Sequence, residues 1–338
     1  MLRLCRVSSI DNPVTILEER DRLMRQYVFK RLLWMIPVVV AVTVLIFTVM
    51  YFTPGDPAAI LLGPYATEVE IMAKRGEMGL NDPYFVRLVK YLKDVFFHWD
   101  FGMSYIQRTP VITELFNRLP YTLTIAVISI LLQTVIGTPL GIVAAVNRNS
   151  LGDRLSMFIA LFGVSMPQFW VGLMLVLFFG VRLGWLPAYG IGGLEYYILP
   201  CLANALPGIA AQARQTRSSM LEVIRSDFVT TARSKGLSER AILYRHALPN
   251  ALLPIITVLG NGFSMMLGGT IVVETVFAIP GVGTYMMNAI SNRDYPVIQG
   301  SVVMLSIAFS IIMLLVDLAY AFVDPRVKAQ YEGKKGGK

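Results

Sequence analysis

Apolar side chains fall along the chain in six long blocks separated by polar stretches: Leu32–Phe52, Tyr121–Val146, Leu155–Val181, Tyr196–Ala213, Ala251–Ala278 and Val297–Val323. A helix needs roughly 20 apolar residues to cross a bilayer. In hydrocarbon the backbone must satisfy its own hydrogen bonds, so each block predicts a helix. The fourth block is short and is interrupted by Pro200 and Pro207. The pattern predicts an all-α, polytopic membrane protein with six transmembrane helices.

The polar stretches divide the chain further. Residues 1–26 form a charged N-terminal extension ahead of a first span at 27–52. "PVTILEERDRLMRQYVF" reads either as an amphipathic helix running into that span or as sequence upstream of a later start at Met24. The first block is too long for a signal-peptide core and no small-x-small site follows it, so it predicts a retained span. It stops at "TPGDPA", Thr53–Ala58, where two prolines and a glycine end a helix. Residues 53–118 then form a mixed segment in which Phe85, Leu88, Val89 and Leu92 recur at helical spacing. The aromatic residues of Tyr84–Trp99 suit an interfacial belt rather than a ligand cage. A core of 119–323 contains the other five spans and a polar loop at 214–250, and 324–338 form a basic tail.

Lys and Arg in the short loops set orientation. They gather before the first block, between the second and third, between the fourth and fifth, and after the sixth. The short opposite loops hold Arg182 and Arg293. This bias puts both termini and the 214–250 loop in the cytoplasm, and 53–118 outside. The chain has 338 residues, 55% hydrophobic and 15% charged, against about 25% charged in soluble domains. Its net charge of +8 is accounted for by orientation, so no nucleic-acid partner is implied. Cys5 and Cys201 lie in unlike surroundings and predict no disulfide. His98 and His246 are isolated, so no metal site is expected. There is no phosphate-binding loop and no catalytic pair or triad.

The loop "DFVTTARSKGLSERAILYRHALPN", Asp227–Asn250, has internal order. Asp227 is placed to cap a helix Phe228–Lys235. Gly236 suits the left-handed residue that ends such a helix. Ser238 is placed to cap a second helix from Glu239 to about Ala247, with Pro249 restricting the chain beyond it. Phe228, Val229 and Ala232 give the first helix an apolar face, and Ile242 and Leu243 give one to the second. Two short helices joined by a glycine make a rigid knob suited to a socket in a soluble partner. The bland alternative is a basic loop lying on the membrane.

This segment resembles the cytoplasmic loop of binding-protein-dependent ABC importer permeases, whose signature reads Glu-Ala-Ala, three residues, Gly, nine residues, Ile, one residue, Leu-Pro. Ala232, Gly236, Leu248 and Pro249 match it, while Thr230, Thr231 and His246 depart. The variant resembles the peptide and nickel branch. So do "TPGDPA", "GTPLGIVAAV", "SMPQFWVGL", "RLGWLPAYG", "VVETVFAIPGVG", "RDYPVIQG" and "LLVDLAYAFVDPR", over about Tyr27–Lys328. The resemblance implies a non-catalytic permease of a bacterial or archaeal cytoplasmic membrane. It would pair with a second permease, two ATPase subunits that carry ATP and Mg2+, and an extracytoplasmic binding protein, with membrane lipid around it and no cofactor in this chain. Asp227, Thr231, Ala232, Gly236, Leu237, Glu239, Leu248 and Pro249 would couple it to the ATPase. The implied cargo is a dipeptide or oligopeptide, with nickel or another small solute as the alternative. A stand-alone channel, a secondary transporter or an intramembrane hydrolase are rivals of other classes.

Pathway and gate candidates are Thr53, Pro54, Asp56, Pro167, Glu274, Pro280, Gly281 and Asp317. "TPGDPA" reads as a gate, a helix stop or both. Glu274 with "AIPGVG" reads as part of an external gate through the resemblance, or as a solvated interfacial carboxylate. Asp317 lies within the sixth span. A charge at a helix centre costs about 2.5–3.5 kcal/mol on insertion scales, so Asp317 should have a polar partner or reach the interface. Gly137 and Gly141, and Gly260, Ser264 and Gly268, fall at four-residue spacing. Small residues there permit close helix approach, within the chain or at a seam with a partner permease.

Overall fold

The computed structural model describes residues 13–323. The first twelve residues, with Cys5, and the basic tail 324–338 lie outside the described residues. The described residues are helical apart from turns, loops and an isolated bridge between Met103 and Pro110.

Helix α1, Pro13–Phe52, carries the N-terminal extension straight into the first span. It ends at the expected stop. Asp56 then caps the short α2, Pro57–Leu62, by accepting from the Ala58 N–H at 3.0 Å. Thr67 and Glu70 form a reciprocal capping box at the start of α3, Glu68–Glu77. The amphipathic helix α4, Tyr84–Lys93, follows and widens into a π-helical turn at Asp94–His98. Its packed stripe differs from the expected one. Tyr84, Leu88, Tyr91 and Val95 turn inward, while Phe85 and Val89 are exposed. The aromatic residues Phe47 and Tyr51 of α1 draw Tyr84 and Tyr91 toward them, with Phe47–Tyr91 centroids 5.3 Å apart. That contact sets the register of the stripe.

The second block begins earlier than its apolar run, as α5, Val111–Leu132. It passes through a π-helical segment, Gln133–Gly137, into α6, Thr138–Val146. The third block, expected as one span, is broken. Helix α7, Leu151–Ser165, and the helix that begins as α8, Gln168–Leu175, and continues to Arg182 meet at 104°. Pro167 causes the break: it pushes Met166 into an extended conformation (ψ 133°) and begins the next helix.

The fourth block is the largest departure from expectation. It is a continuous helix, α9, Glu195–Ile224, running well past Ala213. Its two prolines do not break it, and it sits at the centre of the bundle against α5, α6, α7 and α8. Beyond it come α10, Asp227–Ser234, and α11, Glu239–Ala241. Helix α12, Leu248–Val276, packs along α9. Then follow α13, Val282–Asn292, and α14, Tyr295–Val323, which packs on α1. Among the described residues three helices are long and apolar enough to cross a membrane, or five if two bent pairs each count as one span. Large apolar side chains of α1 and α7, such as Leu45 and Phe158, are exposed, as lipid-facing side chains are.

Helix α9 fails that apolar test because of its buried polar face. Gln168 Nε2 donates to Asn204 Oδ1 at 2.6 Å, and Asn204 Nδ2 donates to Ser129 Oγ at 3.1 Å. About two turns further along α9, Gln133 Nε2 donates to Gln212 Oε1 at 3.3 Å, and Gln212 Nε2 donates to Thr138 Oγ1 at 3.3 Å. Next comes Arg217, which grips the buried Asp153 of α7 through two bonds of 2.6 and 2.7 Å. A helix whose polar side chains are met by its neighbours need not be apolar to sit in a membrane.

Gly137 and Gly141 make that approach possible. A Cβ at 141 would stand 2.5 Å from the Ala213 carbonyl oxygen and from Thr216 Cβ. Gly260 likewise faces Val316 of α14, whereas a Cβ at Gly268 would meet nothing within 4 Å. Helix propensity favours Ala over Gly by about 1 kcal/mol. Overpacking a tight contact costs about 1–3 kcal/mol and should win at 141. Gly141→Ala is therefore expected to lower the melting temperature of the detergent-solubilised chain, and Gly268→Ala to leave it unchanged or raise it.

Candidate functional site

The insert between α9 and α12 folds as an ordered knob. Helix α9 ends at Ile224, and Ser226 turns the chain, its Oγ donating to the Val223 carbonyl at 2.6 Å. Asp227 was expected to cap the next helix. Instead Ser226 holds the cap position, without a side-chain cap bond, and Asp227 is the first residue of α10. Its carboxylate still lies in the first turn, where the helix dipole favours negative charge.

Helix α10 closes in a paired carbonyl motif. The Gly236 N–H donates to Arg233 O at 2.9 Å and the Leu237 N–H to Ala232 O at 3.4 Å. Gly236 has φ +78°, the left-handed conformation the motif requires. Ser238 then caps α11, accepting from the Ala241 N–H at 3.3 Å. Across the joint Arg233 holds Glu239 with two bonds, 2.8 and 3.2 Å. The guanidinium keeps the Glu239 carboxyl below the usual carboxylate range. Both groups are largely solvated, so the pair fixes geometry more than it adds stability.

Val229, Ala232 and Ile242 form a small buried core beneath the joint. Phe228 was expected on that face but is exposed, because Val229 and Ala232, three apart on α10, define the buried stripe. Leu243 is partly buried against Met220, Ala247 and Ala251. Phe228, Leu237 and Tyr244 are left on the outer surface of the knob, with Thr231, Gly236 and Glu239 beside them. Thr231 Oγ1 donates to Asp227 O at 2.9 Å.

The second helix of the knob does not end at Pro249. It passes through a π-helical segment, Ile242–Ala247, into α12, where Pro249 occupies the first turn, a position that needs no proline N–H. Leu248 is half-buried and Pro249 exposed. The two stretches Glu239–Leu252 and Pro254–Phe263 bend by 52° at their junction. The knob is thus joined directly to two helices that pack on each other, α9 and α12.

The pathway candidates do not form one constellation. Glu274 is fully buried rather than solvated. Its Oε1 accepts from Thr122 Oγ1 at 2.6 Å and its Oε2 from the Thr284 N–H at 2.9 Å. Thr122 Oγ1 in turn accepts from the Val282 N–H at 2.9 Å. Glu274 and Thr122 together cap α13 from two other helices. A Cβ at Gly281 would overlap the Glu274 carboxyl group, which explains glycine there, and Pro280 leads into that turn. Thr53 Oγ1 donates to Val49 O, closing α1, and Pro54 lies in the turn before the Asp56 cap. Pro167 begins α8. Asp317 pairs with Arg31 at 2.9 Å, near the start of the membrane-crossing part of α1, Val28–Phe52. It therefore has the polar partner its position called for.

Other structural residues were not singled out by sequence. They include Gln133, Asn204, Gln212, the Asp153–Arg217 pair and Asp294. The buried Asp294 accepts from Ser104 Oγ at 2.5 Å and from the N–H groups of Tyr105 and Ile106. It pins residues 104–106 to the start of α14. The polar face of α9 had a visible signal: Asn204, Gly208, Gln212 and Thr216 recur every four residues within an apolar block.

The chain matches two family models along most of its length. One is described as binding-protein-dependent transport system inner membrane component, over residues 137–329. The other covers the N-terminal part of such membrane components, over residues 24–126. The glutathione transport system permease protein GsiC of Escherichia coli strain K12 is 41% identical over 305 residues, covering 90% of this chain and 99% of its own. The dipeptide transport system permease protein DppB of Alkalihalophilus pseudofirmus is 40% identical over 333 residues, covering 90% and 100%. A chain of the MetNI methionine ABC transporter superposes with TM-score 0.52 at 19% identity, covering 63% of this chain and 97% of that one. At that identity the likeness concerns the fold alone.

The Thr122–Glu274 bridge is expected to hold the end of the bundle opposite the knob. Thr122→Val leaves the buried Val282 N–H without its acceptor, a loss of about 1–3 kcal/mol. Thermal unfolding in detergent should show a lower midpoint for Thr122→Val and near-native behaviour for Thr122→Ser.

Proposed function

The chain belongs to the binding-protein-dependent transport system inner membrane components, and from that premise we propose how this permease subunit works. It is a non-catalytic membrane subunit of an ABC importer, with ATP hydrolysis on separate subunits. Its relatives are named for glutathione and dipeptide transport, which supports a peptide cargo over nickel. The stand-alone channel and hydrolase readings lose their support with the family assignment.

The observation that carries the coupling role is the joint at Gly236. The closing bonds of α10, the Ser238 cap and the Arg233–Glu239 pair make the insert stiff, and it continues into both α9 and α12. A stiff knob transmits force where a loop would absorb it. Phe228, Leu237 and Tyr244 supply an apolar outer surface for an ATPase cleft, with Asp227, Thr231, Gly236 and Glu239 around them. Ala232 acts from beneath, as packing. Leu248 and Pro249 begin the helix that carries motion inward.

In this reading the bundle has six spans, α9 being the one whose polar face its neighbours shield. Both termini and the knob are cytoplasmic, as the Lys and Arg bias suggests. A second permease, two ATPases holding ATP and Mg2+, and an extracytoplasmic binding protein complete the assembly. One stripe of α12 is exposed and carries Asn261, Met265, Gly268, Val272 and Thr275. This stripe suits a seam with the second permease and the pathway beside it. Thr53, Pro54, Asp56, Pro167, Glu274, Pro280, Gly281 and Asp317 then act on the pathway through helix position, by ending, bending or tying the helices.

Co-purification with the ATPase subunits and ATP-driven uptake in proteoliposomes test the lever. Gly236→Val puts a β-branched residue at positive φ, and Phe228→Asp charges the outer surface of the knob. Each is expected to reduce ATPase association or uptake at least about tenfold, equivalent to about 1.4 kcal/mol, while the chain still inserts and purifies as a folded species. Full association and uptake in both variants would overturn the role.

A further inference from the structure

At the end of the bundle opposite the knob, the last turns of α1 meet the 53–118 segment and the first turns of α14. They enclose a cavity of about 490 Å3. Small-molecule sites span about 300–1,000 Å3. Two guanidiniums, Arg75 and Arg87, face one carboxylate, Asp56, in its wall, so the cavity carries an excess of positive charge.

The two cations are positioned by contacts that take up few of their N–H donors among the described residues. Arg75 Nη1 lies 3.6 Å from Asp56 Oδ2. That exceeds the 2.7–2.9 Å usual for a charge-assisted bond. Arg87 stacks over the Tyr51 ring, 5.1 Å from its centroid, and reaches Leu80 O at 3.5 Å. Between them an oxyanion would find forked donors of the kind guanidinium offers to carboxylate or phosphate.

A separate observation points to the same ligand. Tyr295 is 6% exposed, and its buried hydroxyl has no hydrogen-bond partner among the described residues. Tyr295 forms part of the cavity wall. The hydroxyl faces Gly55, where a Cβ would stand 2.8 Å from it. An unsatisfied buried hydroxyl costs about 1–3 kcal/mol, and an acceptor that reached it from the cavity past Gly55 would relieve that cost. Tyr51 and Tyr105 add aromatic surface for an apolar body.

We propose that this cavity binds a carboxylate or phosphate monoanion on a small apolar or aromatic body, held by Arg75 and Arg87 and bonded by the Tyr295 hydroxyl. The site is independent of the ATPase-coupling reading, since it lies at the other end of the bundle. The anion has two possible sources, a free solute or the headgroup of an anionic lipid.

The test uses the full-length chain assembled with its partner subunits in detergent. Equilibrium dialysis would follow N-acetylphenylalaninate as the free carboxylate and dihexanoyl phosphatidylglycerol as the lipid. N-acetylphenylalaninamide and dihexanoyl phosphatidylcholine serve as controls without net charge. At least one anionic probe should bind saturably, one per chain, and which one binds identifies the source. Arg75→Gln and Arg87→Gln should each weaken that binding at least about tenfold, about 1.4 kcal/mol. Arg75 is about half exposed, its side chain 48% accessible, so Arg75→Gln should keep the native melting temperature. Tyr295→Phe should weaken binding without lowering stability, a split that a packing role would not produce. The proposal fails if neither anionic probe saturates, if the neutral amide binds as tightly as the carboxylate, or if the double variant Arg75→Gln/Arg87→Gln binds as the native chain does.

Discussion

The bundle depends on keeping the polar face of α9 away from lipid. Asn204 and Gln212 are buried in a helix at the centre of the fold. In hydrocarbon such groups need partners from neighbouring helices. Ser129, Gln133 and Thr138 supply them from one side and Gln168 from another. These bonds need close helix approach. Gly137 and Gly141 allow it where α9 meets α5 and α6, and Gly262 and Gly269 leave room for Gln133, Gln168 and Asn204 beside α12. The neighbours of α9 are therefore specified by hydrogen bonding and clearance, not by apolar contact alone.

That constraint bears on the lever role proposed for the knob. Helices α9 and α12 are locked side by side, and the insert is the short path between their ends. A displacement of the knob has no slack loop in which to dissipate, so it must move or bend the helices. The places able to bend are distinct: the break at Met166–Pro167, the junction between Leu252 and Pro254, and the π-helical segment at Gln133–Gly137. Kinks have such identifiable causes, and each lies in the helices packed around α9. A rigid centre with bends at its borders suits two packings of the same helices, which is how packed interfaces switch.

Local chemistry made much of this legible in the sequence. The glycine joint, the Ser238 cap and the stop at Thr53–Ala58 depend on residues a few positions apart, and they lie where spacing places them. One error was local: Asp227 moved one place from its expected cap because Ser226 folds back on Val223, three residues before it. The others arose where distant partners decide. The stripe on α4 shifted because Phe47 and Tyr51 of another helix attract its aromatic residues. Glu274 was open to two readings, a gate residue or a solvated carboxylate, and its burial had no local signal because Thr122 stands 152 positions away. Asp294 had no local signal, because Ser104 is 190 positions distant. The fourth block looked weak because hydropathy scores a helix as though it faced lipid on all sides.

The two ends of the bundle are tied by different chemistry, and the distribution of Lys and Arg among the loops accounts for it. At the knob end carboxylates are held by arginine: Asp317 by Arg31, Asp153 by Arg217 and Glu239 by Arg233. At the far end the buried carboxylates outside the long 53–118 segment are held by backbone and hydroxyl donors. Glu274 takes Thr122 and a helix N-terminus, and Asp294 takes Ser104 and two N–H groups. Lys and Arg concentrate in the short loops at the knob end, so ion pairs can form there. The short loops of the other face hold few cations, and carboxylates there must draw donors from peptide groups. Such donors are fixed in direction and survive only while their helix ends stay in place. The far end is thereby bound to particular backbone geometry, while the knob end is held by side chains that can follow one another as the helices shift.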